Sequence, residues 1–301
     1  KIFIIYESRP DVTIEAADMD FKAGNKIVLK GWKESLKGNL ILVKLWHQAL
    51  SENGFSKDNV VYLDLNREEI QEAIAKNTYK ADLIIPRGGD QLIDFVKKNS
   101  NIPVLISGRG NNFLYVDDEA DFEMAKKIIL NGKSRISVCN ALDKVIINKN
   151  LPNLEAQLLN LVKFLKENNL DVYGFGEILK LNSDLQKDEN PEILKEEFLS
   201  EKIVLLLGNS LEEAIEIINE NSGGHSASII TNNKIKAVKF QTEVDCGAVY
   251  HNASTRFTDG GEFGLSGEIA ISTQKLHFRG PLGIHQLTTN KWFISGNGEV
   301  R

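Results

Sequence analysis

The chain has 301 residues, 42% hydrophobic and 26% charged, with a net charge of −6 at neutral pH. That length holds one large domain or two ordinary ones, each with a core that needs no disulfide or metal staple. The acidic balance argues against nucleic acid or an anionic membrane as main partner, and no apolar run reaches the roughly 18 residues of a spanning helix.

Lys1 leads directly into the apolar run Ile2–Tyr6, and no secretory-signal pattern opens the sequence. A chain rarely starts inside its first strand, so a preceding segment is expected. Further strand-like runs follow at Lys26–Lys30, Val60–Leu63, Asp82–Ile85 and Ile102–Ile106, with helical patterns between them at Val12–Lys22, Leu36–Ser51, Arg67–Lys76 and Asp90–Lys98. This alternation predicts βαβ units and a parallel sheet covered on both faces. A helix is predicted over Asp118–Leu130, then an irregular stretch, Asn131–Asn140. A strand at Lys144–Ile147 and an amphipathic helix at Leu154–Glu167 come next. The polar Asn182–Glu192 reads as an exposed connection. Alternation resumes with strand Ile203–Leu207, helix Leu211–Asn219, strand Ala227–Thr231, an unassigned Lys234–Thr242 and strand Ala248–Tyr250. Nine of the 23 glycines fall from Gly247 onward, which predicts close-packed cleft loops. A last strand is predicted at Lys291–Ile294.

The two cysteines, Cys139 and Cys246, are far apart, and the five histidines show no HExxH or paired spacing. Neither a disulfide framework nor a metal centre is expected, and a reducing cytoplasm is. Pro86-Arg87-Gly88-Gly89 follows a strand and opens a helix, where backbone N–H groups and the helix dipole suit a pyrophosphate. An ordinary β-to-α turn explains it equally well. Lys30 and Lys33 follow the second strand, where a 2′-phosphate would select NADP over NAD; solvated surface lysines account for the spacing just as well. No GxGxxG follows the first strand. Cys139 lies in a connecting loop, as a nucleophile or as a buried structural thiol, and the second is the commoner fate of such a residue. The densest polar cluster is Asn252–Gly261. There Arg256 suits a carboxylate clamp, or a turn-internal pair with Asp259.

Several stretches together carry a resemblance: Ile5–Pro10, Ile85–Gly89, Tyr115–Asp117, Val138–Ala141, and the long block from Tyr250–Phe257 through Ile271–His277 to Arg279–Pro281. The sequence resembles the glutamate-5-semialdehyde dehydrogenase (gamma-glutamyl phosphate reductase) family of the aldehyde dehydrogenase superfamily, along essentially its whole length. The resemblance implies an α/β, aldehyde-dehydrogenase-like fold: two doubly wound α/β domains with a small β oligomerisation arm. It implies an NADPH-binding domain at 1–116 lacking its N-terminal part, a catalytic cysteine domain at 117–260, and cleft loops with the arm at 261–301, Trp292 marking an arm strand.

The implied activity is NADPH-dependent reduction of L-glutamyl 5-phosphate to L-glutamate 5-semialdehyde in proline biosynthesis. Cys139 is then the nucleophile, with its own backbone N–H and Ser8 holding the oxyanion. Ser254, Thr255 and Arg256 would bind substrate. Lys30, Lys33, Arg87, Gly88, Gly89 and Glu197 would bind NADPH/NADP. No glutamate base occurs around Ser107–Gly110, which suits a reductase because water attack would waste the thioester. The implied partners are the small-molecule substrate, a second copy of the chain in a homo-oligomer, and a functional link to glutamate 5-kinase. Gly31-Trp32 and Asn112-Phe113 depart from the usual pairs of the family. Another acylating aldehyde dehydrogenase, or a catalytically silent binding module of the same fold, are the other readings.

Overall fold

The computed structural model describes residues 1–7, 10–275 and 278–301. The chain divides into two compact units. The first holds residues 1–105, 267–269 and 282–301; the second holds 106–266 and 270–281. The break at 105/106 precedes the expected boundary at 116, and the C-terminal 261–301 is shared between the units.

In the first unit, strands β1 (Ile2–Tyr6), β2 (Ile27–Gly31), β3 (Val60–Tyr62) and β4 (Leu83–Arg87) form a parallel sheet ordered β3-β2-β1-β4. All five residues of β1 are buried, as an unbroken apolar run requires when both sheet faces are covered. Phe3 and Ile5 share a core with Ile70 and Ile74 of α3 (Arg67–Ala75) and Leu92 and Val96 of α4 (Asp90–Asn99). On the opposite face, the Tyr6 hydroxyl meets Thr13 Oγ1 at 2.6 Å in α1 (Val12–Lys22), and Thr13 bonds Asn39 of α2 (Leu36–Glu52). The strand expected at Ile102–Ile106 reduces to one bridge, Ile84 with Val104. Pro103, within it, has no N–H to donate to a ladder.

The second unit is built on a seven-stranded parallel sheet ordered β11-β10-β5-β6-β9-β7-β8. Its strands are β5 (Asn112–Val116), β6 (Leu142–Asn148), β7 (Asp171–Phe175), β8 (Gln186–Lys187), β9 (Lys202–Gly208), β10 (Ser226–Ile230) and β11 (Ala248–His251). Alternate residues serve two separate cores. Leu114, Val116, Val145, Ile147 and Leu205 face α5 (Phe122–Gly132) and α6 (Leu154–Glu167). Phe113, Tyr115, Ile146, Val204 and Leu206 face α7 (Leu211–Asn221) and α8 (Lys234–Glu243). β5 and β7 were not expected, because their apolar tracts are short and sit among Asn-, Asp- and Gly-rich turns. The unassigned Lys234–Thr242 is α8, whose buried side is only Ala237 and Phe240, too narrow for a clear amphipathic signal. The register of β5 against β6 slips between Asn112 and Phe113, so that Leu142 and Lys144 take consecutive partners and Asp143 is extra. Two short strands, β12 (Ile271–Ser272) and β13 (Gly280–Pro281), pair antiparallel.

Lys291–Ile294 forms no strand within this chain, and Trp292, Phe293 and Ile294 are 85–91% exposed. Among the described residues, no helix is long and apolar enough to cross a membrane.

Candidate active site

In open parallel sheets, ligands bind beyond the carboxyl ends of the strands. In the first unit that edge carries Glu7, Lys30 and Lys33, and it opens into a cavity of about 290 Å³ lined also by Trp32, Arg67 and Phe95. A second cavity of about 240 Å³ shares Lys30, Trp32 and Lys33 and adds Asp64 and Glu69. The structure therefore brings Lys30 and Lys33 to one site. Lys30 is buried and donates to the Gly31 carbonyl at 2.6 Å. Burial lowers its pKa from the usual lysine value, against the opposing pull of Asp64. Gly31 lets α2 pack against the end of β2: a Cβ there would stand 2.3 Å from Asn39 Nδ2. Sequence reasoning missed Arg67, which opens α3 behind its N-cap Asn66 and stacks 5.3 Å over the Phe95 ring. The Asn66–Glu69 capping box marks a helix start but gives no hint that the next side chain lines a pocket.

The Pro86–Gly89 turn needs a correction. Its Gly89 N–H is not free for a pyrophosphate; it donates to Glu7 Oε2 at 2.9 Å. A Cβ on Gly88 would lie 2.6 Å from Glu7 Cδ, so glycine lets that carboxylate close over the start of α4. The helix N-terminus attracts an anion as expected, and the anion is the protein's own. Arg87 ends β4, half-buried.

In the second unit, Cys139 lies half-buried in the loop between α5 and β6. Its backbone is fixed from two sides. Gly110 presses on it so closely that a Cβ would fall 1.8 Å from the Cys139 carbonyl oxygen. The Asn112 carboxamide donates to the carbonyls of Cys139 at 2.8 Å and Ala141 at 2.6 Å. Asn112, noted above only as a departure from the family's usual pair, is thus a clamp on the cysteine loop.

Asn140 ties that loop to the polar cluster. Its Nδ2 donates to the carbonyls of Arg256 (3.2 Å) and Thr258 (3.0 Å), and its Oδ1 accepts from the Arg256 guanidinium. Its carbonyl accepts from Thr255 Oγ1 at 2.9 Å. Arg256 is therefore joined to Asn140, beside the cysteine. Ser254 and Thr255 are 5% and 2% exposed. Ser254 Oγ accepts from the Arg256 N–H, so these two residues shape the turn while Arg256 is half-buried at its rim. Behind it a hydroxyl chain runs from Tyr250 through Thr258 and Ser226 to His225 Nδ1. Burial lowers the His225 pKa to about 4, so the ring is neutral.

Glu197 is half-buried in the segment that enters β9. The neighbouring Phe198 N–H donates to Asp143 Oδ2 at 3.0 Å, and the Glu196 carbonyl accepts from Lys144 Nζ. Asp143 also pairs with buried Lys133 at 2.7 Å. Ser8 lies outside the described residues, so its expected part in the oxyanion site has no structural counterpart here. Among the described residues, Asp117, Asp118 and Glu119 converge as potential metal ligands, but Lys236 forms ion pairs with all three.

Comparison with known proteins gives this geometry its context. Residues 185–292 match the aldehyde dehydrogenase family. The chain is 44% identical over 301 residues to the gamma-glutamyl phosphate reductase of Clostridium botulinum (strain Eklund 17B / Type B), covering 100% of this chain and 72% of the relative. Its fold matches the crystal structure of gamma-glutamyl phosphate reductase from Thermotoga maritima with a TM-score of 0.95 at 39% identity, over 100% of this chain and 72% of that one. An engineered glycolyl-CoA reductase with bound NADP+ shares the fold at a TM-score of 0.68 and 18% identity, over 95% of this chain and 73% of that one. With 44% identity along the whole of this chain to a curated relative of which it covers 72%, the chain belongs to the gamma-glutamyl phosphate reductase family, oxidoreductases of the aldehyde dehydrogenase superfamily that serve proline biosynthesis.

Proposed function

We propose that Cys139 carries the reaction as a nucleophile, reducing L-glutamyl 5-phosphate to L-glutamate 5-semialdehyde with NADPH. The observation that supports this most is the double clamp on its backbone by Gly110 and Asn112, combined with the Asn140 link to Arg256. A thiol that only filled core would not need its main chain held in this way, whereas a nucleophile must meet its target within a fraction of an ångström.

The Cys139 thiolate adds to the acyl carbon, and the Cys139 N–H holds the tetrahedral oxyanion. Collapse breaks the C–O bond to phosphate, a good leaving group, and leaves a thioester on the sulfur. Bound NADPH supplies the hydride that takes the thioester to the aldehyde level. The thiolate then leaves, so one acyl phosphate, one NADPH and one proton give the semialdehyde, phosphate and NADP+. Arg256 faces the substrate's α-carboxylate from a turn shaped by Ser254 and Thr255. Glu197 would hold the nicotinamide ribose by accepting its hydroxyl hydrogen bonds.

The first-unit cavity suits a phosphate-bearing end of the dinucleotide, because buried Lys30 gathers with Lys33 and Arg67 at the strand ends. Lys30 and Lys33 read the 2′-phosphate. The Pro86–Gly89 turn contributes the Arg87 charge, since Glu7 already holds the Gly89 amide. The exposed Trp292–Ile294 stretch is the apolar surface that a second copy would cover in a homo-oligomer.

The test is the reverse assay, phosphate-dependent reduction of NADP+ by the semialdehyde. Cys139→Ala is expected to abolish it while leaving dinucleotide binding intact. Retained turnover would remove the cysteine from the mechanism.

A further inference from the structure

Lys144 is out of place by ordinary rules. It lies wholly buried in β6, among the aromatic residues that face α7 and α8, where an apolar residue would pack without loss of hydration. Burial lowers its pKa to about 7. Its Nζ donates to Asn111 Oδ1 at 2.5 Å and to the Glu196 carbonyl, and it sits 3.9 Å over the Phe198 ring. The next clamp on the same segment comes from Asp143, which accepts from the Phe198 N–H at 3.0 Å. A third comes from Lys133, which donates to the Ser200 carbonyl at 3.1 Å and pairs with Asp143. Residues 196, 198 and 200 are thus pinned in turn by side chains from the stretch 133–144, which also contains Cys139. Between the last two pins, Leu199 holds a left-handed backbone (φ +46°), a conformation that persists only where its surroundings enforce it.

We propose that Lys144 is a positioning residue: it fixes the turn that carries Glu197 in register with the loop that carries Cys139, so that the dinucleotide-dependent step depends on it and the reactivity of the thiol does not. The proposal rests on the reading of Cys139 as nucleophile and Glu197 as a contact to the nicotinamide ribose. A lysine suits the task because one ammonium can hold two oxygens from different segments and still sit on an aromatic face.

The experiment compares wild type, Lys144→Met, Lys144→Arg, Glu197→Gln and the Lys144→Met/Glu197→Gln double variant in the reverse assay, with Cys139 alkylation by iodoacetamide as a second readout. Cys246 is buried with its pKa raised to about 11, so alkylation reports Cys139. The expected result for Lys144→Met is about a tenfold fall in kcat and a several-fold rise in KM for NADP+. KM for the semialdehyde and the alkylation rate should stay within about twofold, and Lys144→Arg should recover part of the loss. The double variant should be little worse than the worse single variant.

Wild-type kinetics in Lys144→Met would overturn the proposal. So would a fall in alkylation rate matching the fall in kcat, which signals general loosening, or fully additive losses in the double variant. If Lys144→Met does not fold, Lys144→Gln carries the same expectations. A wild-type protein inactive in the assay, or an active Cys139→Ala, overturns the functional reading instead, because those controls do not involve Lys144.

Discussion

The two units prepare their sites by opposite means. The first gathers charged side chains around open cavities at the strand ends: Lys30, Lys33 and Arg67, with Glu7 across from them. The second buries its polar groups and uses them on its own backbone. Asn112 holds the carbonyl of Cys139, Asn140 holds the Arg256 turn, and Asp143 and Lys144 hold the Glu197 segment. Lys33 and Arg67 are exposed charges that attract a ligand and tolerate adjustment, whereas buried hydrogen bonds fix positions. Damage to the first unit should therefore appear in dinucleotide affinity, and damage to the Cys139 loop of the second in turnover.

The sharpest way to break this contrast is Gly110→Ala. A methyl group 1.8 Å from the Cys139 carbonyl must push the Cys139 loop aside. We expect kcat to fall by about 10²-fold or more, because small misplacements of a reacting group have effects of that size. KM for NADP+ should barely move. Equal losses in both would erase the distinction between the units.

Asn140→Ala comes next. It removes both donors and the acceptor that hold Arg256 and its turn. KM for the semialdehyde should rise by about 10- to 100-fold, matching the roughly 1–3 kcal/mol of one or two charge-assisted hydrogen bonds. Dinucleotide affinity, followed by fluorescence titration, should not change.

Lys30→Ala/Lys33→Ala tests the other side. The preference for NADPH over NADH should drop by about tenfold or more, and NADPH affinity should lose part of its salt dependence. A wild type that binds both dinucleotides equally would refute the 2′-phosphate reading at once.

The last expected effect concerns stability alone. Asp20, on α1, is fully buried, and burial raises its pKa to about 7. The folded carboxyl keeps its proton up to about neutral pH, whereas the unfolded one releases it near pH 4. This group's share of stability is therefore complete at low pH and is lost as pH rises through about 7. Asp20→Asn should stabilise the protein by roughly 2–4 kcal/mol at about pH 8 and by little at about pH 4. Urea unfolding at both pH values gives the difference, and a gain that does not depend on pH would contradict the assignment.

Much of the framework was legible because it is periodic. The ends of β1, α1 and α6 are where the apolar pattern put them. The pattern failed at β5 and α8, where too few residues carry it, and at Ile102–Ile106, where one proline ends the pairing. Within the candidate site, Arg256 stands out in a dense polar cluster, whereas Cys139 is singled out by the family resemblance and not by its own surroundings in the sequence. Asn112, Asn140, Lys144 and Glu7 could not be singled out, because each acts on a segment distant in sequence, and hydrogen bonds across loops leave no spacing to read.

The unpaired Asp143 at the start of β6 has a consequence for what the protein can survive. On a regular strand, neighbouring side chains point to opposite sides. A bulge lets two in succession point the same way, and here they are Asp143 and Lys144, both directed at residues 196–198. Deleting one of residues 140–142 would restore the regular pleat and turn one ionic group into the hydrocarbon packed under α5 and α6. Drift in the surrounding helices is far easier to absorb than that single lost residue.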